Sequence, residues 1–260
     1  MASKFILTAA EDGVFTITLN RPEKLNALLP EMHLALEEAF DRFAADDALR
    51  VCVIKGAGER SFCAGSDLTA FSTDGSNPYP RTGYAGLAQR YNLTKPVIAA
   101  VNGICLGGGF ELALSCDMIV AAKSAVFGLP EPKVGLIAIG GGIHRLVRQI
   151  GLKQAMGPLL TGRNIPAAEG LALGFVSEVT ASEALDATVA ELCAQIVANA
   201  PLAVQLTKEL AMWGLDQPTL AGALAGQTER PAFQHWMASE DAREGPKAFA
   251  EKRKPEWKGR

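Results

Sequence analysis

Apolar and polar positions repeat with two different periods along this chain, and the switches between them mark out its elements. In Val14 to Leu19, Phe15, Ile17 and Leu19 fall on every second residue, the period of a strand with one buried face. An earlier apolar run, Phe5 to Thr8, is separated from it by Glu11-Asp12-Gly13, so the pair reads as two strands around a turn. From Pro30 the spacing becomes helical: Met32, Leu36, Ala39, Phe40 and Phe43 share a face, proline suits the first turn, and Asp46-Asp47 closes the helix. Continuous apolar runs at Val51 to Ile54, Pro96 to Val101 and Met118 to Ala121 predict buried strands, with helices over Gly86 to Leu93 and from Phe110 to Ser115. Phe71 to Gly83 is crowded with Ser, Asp, Gly, Asn and Pro and reads as a mobile loop. From Ser182 onward the pattern is helical, punctuated by Pro201 and Pro218, with Ser182 and Ser239 as N-caps. Strand, turn and helix recur through roughly the first 175 residues, which predicts a mixed α/β body followed by a helical C-terminal third.

Composition narrows the function. The 48% hydrophobic and 20% charged residues suit a packed core, and 260 residues allow one large domain with a helical appendage. A formal net charge of −3 offers no basic surface, so no nucleic-acid partner is expected. The apolar runs stop well short of the ~18 residues of a membrane span. The N-terminus lacks both a secretory apolar region and a transit-peptide pattern, so a soluble cytoplasmic protein without a membrane partner is expected. The five cysteines are odd in number and form no C-x-x-C, and Cys52 lies between two valines; they read as buried free thiols, not as a disulfide framework or a zinc site. His33, His144 and His235 are far apart, and no metal is expected.

The chemistry concentrates in a few segments. Gly103-Ile-Cys-Leu-Gly-Gly-Gly-Phe-Glu111 runs from a buried strand into a helix. Three consecutive glycines are costly in a folded chain and let backbone N–H groups approach a ligand closely at a helix N-terminus, although close packing in a tight turn would ask for them too. Neither G-x-G-x-x-G nor the P-loop pattern is present. Glu111 follows the triplet, where a carboxylate either offsets the helix dipole or serves as an acid or base. Glu131 stands between Pro130 and Pro132 on a stiffened turn, a setting for a solvated loop residue or for a held proton donor. If both carboxylates share a pocket, repulsion and burial separate their pKa values and allow acid and base roles. Ser66, in Ala64-Gly-Ser-Asp-Leu68, is not in a G-x-S-x-G elbow; Cys63 lacks a neighbouring histidine; His144 reads as packed or capping.

Taken in order, these segments resemble the enoyl-CoA hydratase/isomerase (crotonase) superfamily along nearly the whole chain. The landmarks are Asn20-Arg-Pro with Asn26-Ala-Leu28, Gly56-x-Gly58 with Phe62-Cys-Ala-Gly-Ser-Asp-Leu68, and Lys95 to Gly103. Gly107-Gly-Gly-Phe-Glu-Leu-Ala113, Cys116-Asp117, Phe127-Gly-x-Pro-Glu131, Leu160-Thr-Gly162 and Phe249-x-Glu-Lys-Arg253 complete them. The resemblance implies an α/β fold of repeated ββα turns wound into a spiral over residues 1–180. A helical oligomerisation region over 181–260 would build a homotrimer or a hexamer made from two trimers. It also implies an acyl-CoA substrate, with coenzyme A entering as part of that substrate and no separate cofactor or metal. The thioester oxygen would lie in an oxyanion hole made by the N–H groups of Ser66 and Gly108.

Hydratases of this superfamily carry both carboxylates, matched here by Glu111 and Glu131. The implied reaction is syn addition of water to a 2-trans-enoyl-CoA. Glu131 would hold the water and deliver its proton to Cα, while Glu111 would orient and activate it for attack at Cβ. Ala64, Ser66, Asp67 and Leu68 match the segment that lines coenzyme A, Lys24 is a candidate phosphate contact, and Phe249 and Lys252 match positions that reach a neighbouring subunit's coenzyme A. Residues 71–84 are expected to shape the acyl pocket. Two departures stand out: Ile139 in Ala138-Ile-Gly-Gly-Gly142 replaces a common glycine beside the expected water and acyl tail, and Thr69 replaces a common lysine. Ser239-Glu-Asp-Ala-x-Glu-Gly-Pro and Gly86-Leu…Lys95-Pro also resemble the carnitinyl-CoA dehydratase branch. An isomerase or a hydrolase is a rival activity; a non-catalytic CoA- or RNA-binding scaffold is disfavoured by the intact carboxylate pair.

Overall fold

In the computed structural model, residues 3–70 and 79–260 are described. Strands β1 (Ile6–Glu11) and β2 (Val14–Leu19) form an antiparallel hairpin pairing Ile6 with Leu19 and Glu11 with Val14. Its two-residue turn, Asp12-Gly13, takes φ of +48° and +80°, the conformation whose twist matches the flanking strands. Helix α1 (Pro30–Ala45) follows, with Pro30 at its first position and Asp46 at its end. It buries Met32, His33, Leu36, Ala39, Phe40 and Phe43.

The chain then alternates between two sheets. Strands β3 (Val51–Gly56), β5 (Val97–Val101) and β7 (Met118–Ala122) join the large sheet, each followed by a short strand of the small sheet: β4 (Ser61–Cys63), β6 (Ile104–Leu106) and β8 (Val126–Gly128). Helix α2 (Gly108–Ser115) returns the chain from β6 to β7. Helices α3 (Gly142–Ile150) and α4 (Leu152–Thr161), strand β9 (Ile165–Pro166) and helix α5 (Ala167–Leu173) lead to β10 (Glu178–Thr180). Among the described residues the large sheet has the order β1-β2-β3-β5-β7-β10, parallel from β2 onward, and the small sheet the order β4-β6-β8-β9. This is the spiral expected from the resemblance.

The continuous apolar runs are explained by burial on both faces of the large sheet. Val51, Val53, Ile98, Ala100, Val120 and Ala122 face Leu185, Val189 and Cys193 of helix α6 (Leu185–Val197). Cys52, Ile54, Ala99, Val101 and Ala121 point the other way, into the larger core under α1 and α2. All five cysteines are free and buried. Helices α7 (Pro201–Leu215), α8 (Leu220–Gly226), α9 (Pro231–Ala238) and α10 (Glu240–Ala250) complete the chain, and Ser239 Oγ caps α10 by accepting from Ala242 N at 3.1 Å. No single described helix is long and apolar enough to cross a membrane.

Three expectations need correction. Ser182 opens a 3-10 turn (Ser182–Ala184) without a side-chain cap, and α6 starts at Leu185. His144 is exposed on α3 rather than packed. Gly86 to Leu93 is a run of turns, not a helix. Ala85 and Gly86 have φ of +52° and +65°, outside the right-handed helical region, and Arg90 Nε takes the Gly86 carbonyl at 3.0 Å. Most of the segment expected to be a mobile loop, residues 71–78, lies outside the described residues.

Candidate active site

Each glycine of the triplet meets a different neighbour. Gly107 turns the chain from β6 into α2 with φ +53°, and a Cβ there would lie 3.2 Å from Glu131 Oε1. At Gly108 a Cβ would fall 1.8 Å from the Tyr84 hydroxyl oxygen, and at Gly109 2.1 Å from the Cys63 carbonyl oxygen. The loop after β4 closes on the same turn: a Cβ on Gly65, φ +99°, would be 3.1 Å from Gly108 N. Leu28 pins this loop, donating to Gly65 O at 2.8 Å and accepting from Asp67 N at 2.9 Å. Those bonds flank Ser66, whose own N–H has no hydrogen-bond partner among the described residues. Gly108 N, the first residue of α2, also has none there, as expected at a helix start. Two backbone donors on adjoining loops thus have no partner among the described residues.

Glu111, only 3% exposed, leaves α2 toward a second glycine run. Its Oε1 accepts from Gly142 N at 2.9 Å, at the positive end of α3. A Cβ on Gly140 would lie 2.6 Å from its Oε2, and one on Gly142 2.9 Å from its Cγ, so both must be glycine for the carboxylate to fit. Burial raises its pKa to about 7 against the opposing pull of the Gly142 N–H, and the charge of Glu131 raises it further. Glu131 begins a 3-10 turn (Glu131–Val134) closed by Gly135 at φ +73°. Burial also raises its pKa. Its Oε2 is buried with no hydrogen-bond partner among the described residues, an acceptor suited to a water or substrate proton. The two carboxylates are thus close enough for the charge of one to act on the other, the condition the sequence argument set for separate acid and base roles.

Tyr84 ends the segment expected to shape the acyl pocket, but carries no expected role of its own. It is 3% exposed, and its hydroxyl lies 3.0 Å from Ser66 Oγ. His33 packs edge-on against both Tyr84 and Tyr79 and accepts from Ala85 N at Nδ1, 3.0 Å. Burial lowers its pKa to about 4. The available signal was an aromatic residue between two glycines, Gly83-Tyr84-Ala85-Gly86, after a polar loop.

The other expected residues divide. Ala64, Ser66, Asp67 and Leu68 lie on the loop beside Gly108. The Asp67 carboxylate is engaged by Thr69, through N and Oγ1 at 3.0 and 2.6 Å, and by Arg21 Nη1 at 2.7 Å; these bonds hold it down to about 2. Asp67 thus tethers the loop to the Asn20-Arg-Pro turn, and Thr69 holds its carboxylate in place for that contact. Asn26, fully buried, donates to Ala57 O and Ser61 O at 3.0 and 2.9 Å, which gives that motif a structural use. Lys24 is exposed. Ile139 is 65% exposed next to Gly140. Phe249, 87% exposed, and Lys252 are on or just after α10, with no hydrogen bond or ion pair to the glycine loops among the described residues. No group of described His, Cys, Asp or Glu residues could hold a metal ion.

Comparison with known proteins completes the picture. The family described as enoyl-CoA hydratase/isomerase matches residues 9–260. Carnitinyl-CoA dehydratase from Citrobacter koseri is 43% identical over 253 residues, 95% of each chain, and the protein of that name from Proteus mirabilis is 43% identical over 252 residues, 95% of this chain and 96% of its own. The crystal structure of an enoyl-CoA hydratase from Mycobacterium tuberculosis superposes with a TM-score of 0.92 at 38% identity, covering 99% of this chain and 100% of its own. One from Mycobacterium marinum gives 0.92 at 41%, with the same coverage.

Proposed function

Because the chain belongs to the enoyl-CoA hydratase/isomerase family, we propose that its site adds water reversibly to a 2-trans-enoyl-CoA, with coenzyme A entering as part of the substrate. The observation that carries this reading is a pair of carboxylates beside the glycine turns, Glu111 buried with a pKa near neutrality and Glu131 half-buried with an Oε2 that has no partner among the described residues. A pair supports water addition better than a bond shift, for which one proton carrier suffices. Water held between the two would lose a proton as its oxygen attacks Cβ, and one proton would reach Cα on the same face. Glu111 orients and activates the water; Glu131 holds it and delivers the proton. Negative charge moving onto the thioester oxygen would meet the N–H groups of Ser66 and Gly108, which need no change of geometry to receive it. Every proton in this scheme travels between water, carboxylate and substrate, so it calls for no metal or redox group.

The lining of coenzyme A is assigned to Ala64, Ser66, Asp67 and Leu68, with Lys24 toward phosphate and Ile139 toward the acyl tail. Residues 181–260 are assigned to oligomerisation, with Phe249 and Lys252 toward a neighbouring subunit. The exposure of Met212, Leu215, Leu220 and Leu224 on α7 and α8 supports a homotrimer, alone or paired. Sedimentation of a monomer at micromolar concentration would overturn that assignment.

The test of the activity is loss of crotonyl-CoA's conjugated-thioester absorbance. Glu111→Gln and Glu131→Gln should each lower turnover ~10²–10⁴-fold while coenzyme A still binds. Either variant turning over at the wild-type rate would end this mechanism. The relatives named carnitinyl-CoA dehydratase favour a second reading, in which the same pair runs the reverse reaction on a specialised β-hydroxyacyl-CoA. An enzyme silent on enoyl-CoAs of every length but active on carnitinyl-CoA would select it.

A further inference from the structure

Tyr84 runs from beside Glu111 to the turns that carry the Ser66 and Gly108 N–H groups. Near its Cβ, a side chain on Gly140 would collide at 3.0 Å, and the same site touches Glu111 Oε2; at its far end the hydroxyl overlies Gly108 and bonds Ser66 Oγ at 3.0 Å. The ring therefore spans from the general base to both loops of the oxyanion hole.

Its own backbone is held unusually firmly. Gly83, Ala85 and Gly86 all have positive φ, +79°, +52° and +65°, and at Ala85 that conformation costs energy that surrounding contacts must offset. Helix α1 supplies them. Ala85 N donates to His33 Nδ1, and Gly86 lies so close to Glu37 that a Cβ would be 2.5 Å from its backbone N. Arg90 bonds the Gly86 and Glu37 carbonyls at 3.0 and 3.1 Å and pairs with Asp41 at 2.6 Å. Strain of this kind, fixed by a second layer of contacts, is how a side chain is kept in one place for a task. Burial keeps the Tyr84 phenol protonated.

Building on the hydratase reading, we propose that Tyr84 is a positioning residue for the oxyanion hole: its hydroxyl, bonded to Ser66 Oγ, holds the Ser66 N–H at the spacing from Gly108 N that a thioester oxygen requires. Tyr84 then acts through Ser66 Oγ, which the Tyr79 side chain also bonds, so removing the Ser66 hydroxyl should cost at least as much as removing that of Tyr84.

The experiment uses the full-length protein with two readouts. Bound 2,4-hexadienoyl-CoA reports polarisation of the thioester carbonyl as a red shift in its absorbance, without turnover; crotonyl-CoA hydration gives kcat and KM. Tyr84→Phe, which keeps the ring, should lower kcat about tenfold, the scale of one misplaced hydrogen bond, with KM changed less than about twofold, and should shrink the red shift. Ser66→Ala should reproduce both effects, and the double variant should lose no more than the worse single. Should Tyr84→Phe fail to fold, Ser66→Ala carries the same prediction. A full red shift with unaltered kcat in a folded single variant, or losses that multiply in the double, would overturn the proposal. If the wild type hydrates no enoyl-CoA yet its red shift depends on Tyr84, the hydratase reading fails and the role of Tyr84 stands.

Discussion

Two identical tripeptides, Gly107-Gly-Gly109 and Gly140-Gly-Gly142, need glycine for different reasons. In the first, space decides at two of the three positions: a phenol and a backbone carbonyl occupy the place of the Cβ missing at Gly108 and Gly109, while Gly107 takes a φ of +53° with Glu131 Oε1 3.2 Å from where its Cβ would stand. In the second, the outer glycines clear room for Glu111, and Gly142 N bonds its carboxylate, while the middle one stands almost in the open; a Cβ on Gly141 would meet only Arg145 Nε, at 3.7 Å. Gly141 is glycine because its φ is +100°. In the proposed site one run forms the wall offered to a ligand, while the other cradles the protein's own carboxylate at a helix N-terminus. A glycine run at a helix start therefore need not face a ligand.

Substitution within the two runs should separate these causes. The largest effect is expected at Gly109→Ala, whose Cβ would lie 2.1 Å from the Cys63 carbonyl, a backbone atom that cannot swing aside. It should cost more than about 3 kcal/mol by parting α2 from β4, read as a loss of soluble folded protein or a steep fall in denaturant midpoint. Wild-type stability in this variant would refute the packing account of the first run.

The cradle makes a pH-dependent prediction of intermediate size. Glu111 has a folded-state pKa near 7, above the ordinary 4.5, so the folded protein binds this proton more tightly than the unfolded chain. Wild-type stability should therefore fall as pH rises from about 4.5 to about 7, by up to ~3 kcal/mol from this group. Glu111→Gln cannot ionise, so denaturant melts should find it more stable than wild type at pH 8, with the gap closing below pH ~5. Turnover, which needs Glu111 ionised, should rise with pH through about 7 over the same window. A gap independent of pH would show that the carboxylate is not held near neutrality.

The smallest effect belongs to Gly141→Ala. It meets no clash, only the unfavourable left-handed backbone, worth ~1–2 kcal/mol and a fall of roughly 2–4 °C in Tm. A loss as large as that of Gly109→Ala would erase the distinction between the runs.

Much of this was legible from local pattern. The hairpin turn Asp12-Gly13, the helix begun by Pro30, the buried strands and the Ser239 cap follow from rules that act over a few residues, as does the presence of glycine beside Glu111 and Glu131. The helix expected over Gly86 to Leu93 failed because Gly86 must pass against Glu37 of α1, some fifty residues away, and Arg90 replaces the helical hydrogen bond. Tyr84 carried no expected role beyond its place in the 71–84 segment for the same reason: an aromatic residue in a turn gains meaning only from what it touches.

The sequence by itself determined the strand and helix periods, the family motifs and the identity of the two carboxylates, since these are carried by short-range spacing and residue chemistry. Only the tertiary structure decided that Glu111 would be held near pKa 7, that Glu131 Oε2 would have no partner among the described residues, and that the Tyr84 hydroxyl would bond Ser66 Oγ while lying over Gly108. Those properties depend on desolvation and on contacts between distant segments, and both exist only once the chain has folded around them.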